Sequence, residues 1–178
     1  MEDLVDKVRT IMRARTTRDV ELHRLLASAK DIETLTLRGH LILEELMMDA
    51  LASHCGNPSH LRDARLRFPQ LVCLVRAVEV TGGVPDSAWL AIGRFNTLRN
   101  ALAHRLEVAD AESKVAAIVE AVSGAVPGLT FPRARGSVSS LRRAIKALFG
   151  LLSGVAVLQA GVVAAVKHRS KHLLADAP

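Results

Sequence analysis

Three side chains that can do chemistry fall close together in the stretch FNTLRNALAH, residues 95–104: Arg99, Asn100 and His104. Histidine exchanges protons near neutral pH. Arginine grips a phosphate with parallel N–H donors and stabilises negative charge as it develops. Asparagine can orient an imidazole or a ribose. Together they suit phosphodiester cleavage in RNA, where the 2′-hydroxyl serves as the internal nucleophile. That chemistry needs no metal and no cofactor. The competing reading of the same residues is an ordinary solvated helix face.

The residues around them must form a helix to bring the three together. At about 100° per residue, Phe95, Leu98, Leu102, Leu106 and Ala109 keep to one stripe, while Asn96 and Ala103 fall on its flanks. Asn100 and His104, four apart, stack on the side opposite that stripe. Arg99 sits at the stripe's edge, where its stem can lie on apolar surface and its head reach outward. His104 therefore faces water or another subunit rather than the core. The bare spacing is not unique, because Arg18, Asp19 and His23 repeat it. That copy lies at a helix start, where Asp19 is explained by helix-end electrostatics.

The other elements read as helices too. Leu4, Val8, Ile11 and Met12 mark a short amphipathic helix over 2–15, and a second runs over about 18–30 with Val20, Leu22, Leu25 and Leu26 as its apolar set. Residues 31–56 carry a long periodic stretch, capped by Asp31 and stopped by Gly56, with Ile32, Leu35, Ile42, Leu43, Leu46, Met47, Ala50 and Leu51 inward. FPQLVCLVRAVEVTG predicts a buried helix ended by Gly82 and Gly83. A helix of about six turns opens at Pro85 and Asp86 and contains the Arg99–His104 set. A further one over DAESKVAAIVEAVSG is capped by Asp110 and closed by Gly124. No alternating strand pattern and no internal repeat is present.

Composition agrees. Of 178 residues 49% are apolar but only 3% aromatic, and Tyr is absent, so the core must be Leu, Val, Ile and Ala, which suits helices. The net charge is +6 and 18 of the 24 basic residues are Arg, a bias toward an anionic partner such as RNA or a membrane surface. Cys55 and Cys73 form no disulfide framework and suit a reducing cytoplasm. His54, Cys55 and His60 do not match a zinc pattern. The N-terminus lacks a secretory apolar region. Beyond the central set, Arg38 and Glu45 are candidates to support Arg99 or line an RNA groove, Arg62, Arg65 and Arg67 to meet RNA phosphates by counterion release, and Arg105 to bind RNA. For each of these a plain charged surface is the alternative.

LRNALAH resembles the signature of HEPN domains: Arg, a polar residue, three residues, His. TLRGHLILEELMMDAL, 36–51, is similar to the long early helix of HEPN-like families, in which Arg-Gly precedes an apolar run with a late acid. The resemblance covers roughly residues 17–123. It implies an all-α, antiparallel bundle of four to five helices and a metal-independent endoribonuclease of toxin, antiviral defence or CRISPR-associated type. It also implies that Arg99, Asn100 and His104 are the catalytic set and that two subunits of a homodimer place their motifs side by side. An antitoxin or effector partner belongs to that picture. One HEPN subtype is silenced by modification of a Tyr near the motif, and this chain has none.

The chain then divides into a short N-terminal helix (1–16), the HEPN-like bundle (17–123), a basic Pro/Gly linker (124–139) and a hydrophobic C-terminal helix with a basic tail (140–178). The helices before the linker are expected to close a bundle without help from the C-terminal helix. Residues 147–166 carry no charge over twenty positions, about the length of a bilayer core, and basic residues flank both ends. This stretch is expected either to touch a membrane, tethering a cytoplasmic protein to the inner membrane, or to pack in a soluble oligomer. Gln159 and Ser153 argue against lipid. The alternatives to a ribonuclease are thus a non-catalytic, membrane-associated oligomerising, pore or anchor module, and a helical regulator resembling the mannitol-repressor group.

Overall fold

The computed structural model describes residues 20–79, 82–104, 110–131 and 136–175, with the side chains of 160, 163, 164 and 167–175 outside that description. Among these residues the chain is all-α. Residues 20–27 are helical (α1), followed by α2 (Ile32–Ala52), α3 (Ser59–Asp63), α4 (Phe68–Val78), α5 (Asp86–His104), α6 (Ala111–Ala125) and α7 (Gly136–Ala175). The helix expected over 2–15 lies outside the described residues. The helix the sequence pattern did not suggest is α3, a single turn inside the basic connection. It starts where Pro58 stiffens the chain, and Leu61 packs against the core.

Local chemistry explains the helix ends. The Asp31 carboxylate accepts from the Thr34 backbone N–H at 2.6 Å and from its hydroxyl at 2.9 Å. These bonds hold the Asp31 carboxyl below its usual range. The helix does not reach Gly56: it ends at Ala52, where the Ser53 hydroxyl donates to the Ala50 carbonyl at 2.7 Å. Asp110 does not cap α6 through its side chain as expected; its carboxylate pairs with Lys114 instead. That helix runs past Gly124 to Ala125, and the turn after it uses Gly128 at φ +82.

Helix α2 is the hub, packing on α4, α5 and α7, while α6 packs on α5 and α7. Its buried stripe is Leu35, Thr36, Gly39, His40, Leu43, Leu46, Met47 and Leu51. Ile32, Ile42 and Ala50, expected inward, are only half-buried, and Thr36, Gly39 and His40 are buried instead. Helix α4 is amphipathic rather than buried: Phe68, Leu71 and Val75 enter the core while Cys73 and Leu74 are exposed.

The C-terminal helix is part of the bundle. Leu141, Ala144, Ile145, Leu148, Phe149, Leu152 and Val155 are buried with the core of the earlier helices. The bundle is therefore not closed by the helices before the linker, because α2 and α6 each give a face to α7. Ser153 and Gln159, costly in lipid, are buried here. Among the described residues no helix is long and apolar enough to cross a membrane, and the stretch 147–166 includes side chains outside them.

Two close fits hold this arrangement. At Gly39 an added Cβ would lie 2.7 Å from Ile145 Cδ1 and 3.0 Å from Phe95 Cζ, so the ends of these two side chains close over the glycine and would have to move aside for a larger residue. At the end of α1, where helix carbonyls lack internal partners, two arginines supply donors. Arg38 donates to Leu25 O at 2.7 Å and to Ser28 Oγ at 2.6 Å. Arg142 of α7 donates to Leu26 O at 2.9 Å and Ala29 O at 2.6 Å.

Overpacking a tight contact costs about 1–3 kcal/mol, so Gly39→Val should lower the midpoint of urea or thermal unfolding. Gly150 on α7 is exposed with open space around it. Gly150→Ala should therefore raise the midpoint, by roughly 0.5–1 kcal/mol. Arg142→Met keeps an apolar stem but strands two carbonyls. Hydrogen bonds from charged donors are worth about 1.5–3 kcal/mol, and unfolding should come earlier by an amount in that range. An unchanged midpoint for Arg142→Met would mean that α7 does not anchor α1.

Candidate functional site

The exposed side of α5 is set by its buried one. Ala88, Trp89, Ala91, Ile92, Phe95 and Leu98 enter the core, leaving the opposite side to water. Asn100 and His104 are exposed and Arg99 is half-buried, as the angular count requires. The Arg99 guanidinium donates to the neighbouring Asn100 Oδ1 at 3.2 Å. One cation and one amide are thereby joined at the surface, with His104 one turn beyond Asn100 at the end of α5. Leu102 is half-buried; Leu106, Ala109 and Arg105 lie outside the described residues.

The other candidate arginines stand on separate elements. Arg38 commits its guanidinium to the end of α1, a contact that sequence spacing to Glu45 does not reveal. Arg62 is exposed on α3, and Arg65 is exposed just after it at φ 46. Arg67 is exposed at the start of α4, where its backbone N–H donates to Gln70 Oε1 at 2.9 Å. These exposed guanidiniums on α3 and the chain after it can meet phosphates by long-range attraction, but they do not form one constellation with Arg99 through the contacts described.

Sequence reasoning missed a polar cluster where α2 meets α5. His40 of α2 is 6% exposed. Its Nε2 lies 3.3 Å from Asn96 Oδ1 of α5, its Nδ1 lies 3.6 Å from Glu44 Oε2, and its ring stacks on Phe68 of α4 at 4.2 Å between centroids. Burial pushes the His40 pKa below the usual imidazole value. The Asn96 hydrogen bond and the Glu44 charge oppose that shift, and the Arg99 charge adds to it. The signal was present: Thr36, Gly39, His40, Leu43 and Met47 follow the i, i+3, i+4, i+7 spacing of a core stripe.

Among the described residues no three His, Cys, Asp or Glu side chains gather as a metal site. Both cysteines are free, Cys55 half-buried and Cys73 exposed.

His40 also dictates a pH dependence. Its folded pKa is depressed below the ordinary value of 6.5, so the unfolded chain binds its proton first as pH falls. The stability it contributes is complete above about pH 6.5, declines as pH drops below that value, and levels off beneath the folded pKa. Urea unfolding of wild type and His40→Gln across pH 4.5–8 (roughly the range of imidazole titration) should give a difference curve of that shape. A flat difference would contradict it.

No protein-family model, no curated protein and no solved structure matches this chain.

Proposed function

We propose that the protein is a metal-independent endoribonuclease of HEPN type that cuts single-stranded RNA, acting as a toxin or an antiviral or CRISPR-associated effector. The observation that carries the reading is the exposed Arg99–Asn100 pair, joined by a 3.2 Å hydrogen bond, with exposed His104 on the same helix. The resemblance of LRNALAH to the HEPN signature supports it as well.

In the reaction, His104 removes the proton of a ribose 2′-hydroxyl. The oxygen attacks the adjacent phosphorus, and the bond to the 5′-oxygen breaks. The leaving oxygen takes a proton from a second acid, leaving a 2′,3′-cyclic phosphate and a 5′-hydroxyl. Arg99 binds the phosphate and stabilises the charge on its oxygens as the bond order changes. Asn100, held by Arg99, orients the ribose or the imidazole. A homodimer that apposes two α5 helices would bring a second His104 as the acid. Arg62, Arg65 and Arg105 then serve as outlying phosphate contacts on the approaching strand.

Unstructured RNA incubated with purified protein in EDTA should be cut, with cyclic phosphate ends. His104→Ala and Arg99→Ala should each reduce cleavage about a hundredfold or more, the usual size of a lost acid/base or charge-stabilising group. Undiminished cleavage in both variants would sink the assignment.

A second reading has an observation of its own. Leu158, Val162 and Val166 are exposed on α7 at i, i+4, i+8, an apolar ridge in the uncharged stretch 147–166. It favours a module that oligomerises, or a cytoplasmic protein that contacts the inner membrane, with the α5 face idle. That reading, like a regulator resembling the mannitol-repressor group, expects no RNA cleavage and no effect of His104→Ala.

A further inference from the structure

The cluster around buried His40 carries an inference that rests on the reading of Arg99 as the phosphate-binding residue. We propose that His40 is a positioning residue of that site, holding α5 through Asn96 and coupling proton uptake to the binding of a phosphate-bearing anion at Arg99.

The geometry runs from α2 to α5. His40 reaches Asn96, and Asn96 precedes Arg99 by three residues and Asn100 by four, so all three share one side of the helix. In the tautomer protonated at Nε2, His40 donates to Asn96 Oδ1 and fixes the amide. Its Nδ1 lone pair then faces the Glu44 carboxylate at 3.6 Å. A proton taken up at Nδ1 meets that carboxylate, which is part-exposed, and forms an ion pair without disturbing the bond to Asn96. The groups that face His40 are Glu44 from its own helix, Asn96 and the Arg99 charge from α5, and the Phe68 ring from α4. From α7, apolar Ile145 closes against the preceding residue, Gly39. Burial is the main resistance to protonation of His40, and the Arg99 charge adds to it.

An anion seated on Arg99 offsets the part of that resistance due to the Arg99 charge. Linkage is reciprocal, so an anion that favours the His40 proton is itself bound more tightly by the protonated form. Affinity for RNA phosphate at this face then rises as pH falls through the His40 titration, separately from any contribution of His104. The arrangement keeps a pH-dependent charge out of water, one contact away from the helix that carries Arg99.

NMR of protein carrying isotope-labelled histidine reads each imidazole separately. The His40 signal is assigned by His40→Gln, or by its contact with the Phe68 ring. Two perturbations are compared with the free wild type: Arg99→Ala, and saturation with sulfate or an all-deoxy oligonucleotide, which offers phosphates but no 2′-hydroxyl. Both should raise the His40 midpoint, by about half a unit to one unit, the effect of removing or neutralising one nearby charge. The oligonucleotide should bind three- to tenfold more tightly below that midpoint than above it, which is about the same shift read as affinity. An unmoved His40 midpoint in either arm overturns the proposal. RNA that stays intact while both shifts occur would remove the catalytic reading and leave the proton-linked anion site standing.

Discussion

Two adjacent residues of α2 touch all three of the helices that pack on it. Gly39 has no side chain, and Ile145 of α7 and Phe95 of α5 fill the space a Cβ would need. His40, next to it, reaches Asn96 on α5 and stacks on Phe68 of α4. Close approach at one residue and a directional polar contact at the other fix three helices against α2. Close-packed interiors tolerate little change in volume, so a larger residue at position 39 would press on Phe95 and Ile145. The exposed face of α5, with Arg99, Asn100 and His104, is oriented by that constraint.

The charged groups divide between holding the fold and facing outward. Arg38 and Arg142 are spent on the carbonyls that end α1, and Arg94 bonds Ala117 O at 2.6 Å and approaches Glu120 at 3.6 Å. Arg76 joins α4 to α5 through Asp86 at 3.0 Å and lies over Trp89. A high arginine count therefore measures helix-to-helix tethering as well as attraction for anions. Arg99 differs in that its guanidinium is joined to a neighbour on its own helix and stands at the edge of the exposed side.

The C-terminal helix shows that an uncharged run can carry a core face and an uncovered face together. By sequence, 147–166 has the length of a membrane span. In the fold, Leu148, Phe149, Leu152 and Val155 of that run are core residues facing the bundle, and Gln159 lies buried beside them. Leu158 and Val162 remain outward. A run apolar all round can bury one side on protein while the other stays uncovered, and hydropathy does not separate these cases.

The class of structure and the outward face of α5 were legible from residue order alone. Apolar spacing made the chain helical, and the stripe through Phe95 and Leu98 left Asn100 and His104 nowhere to point but away from the core. Those are local consequences of a 3.6-residue period. That α7 completes the core, that Arg38 serves α1, and that His40 reaches Asn96 on α5 emerged only from the packed fold. These depend on which helices meet and how closely. Neighbours from distant parts of the chain are brought together by packing at Gly39, and no periodicity within one segment encodes their partners.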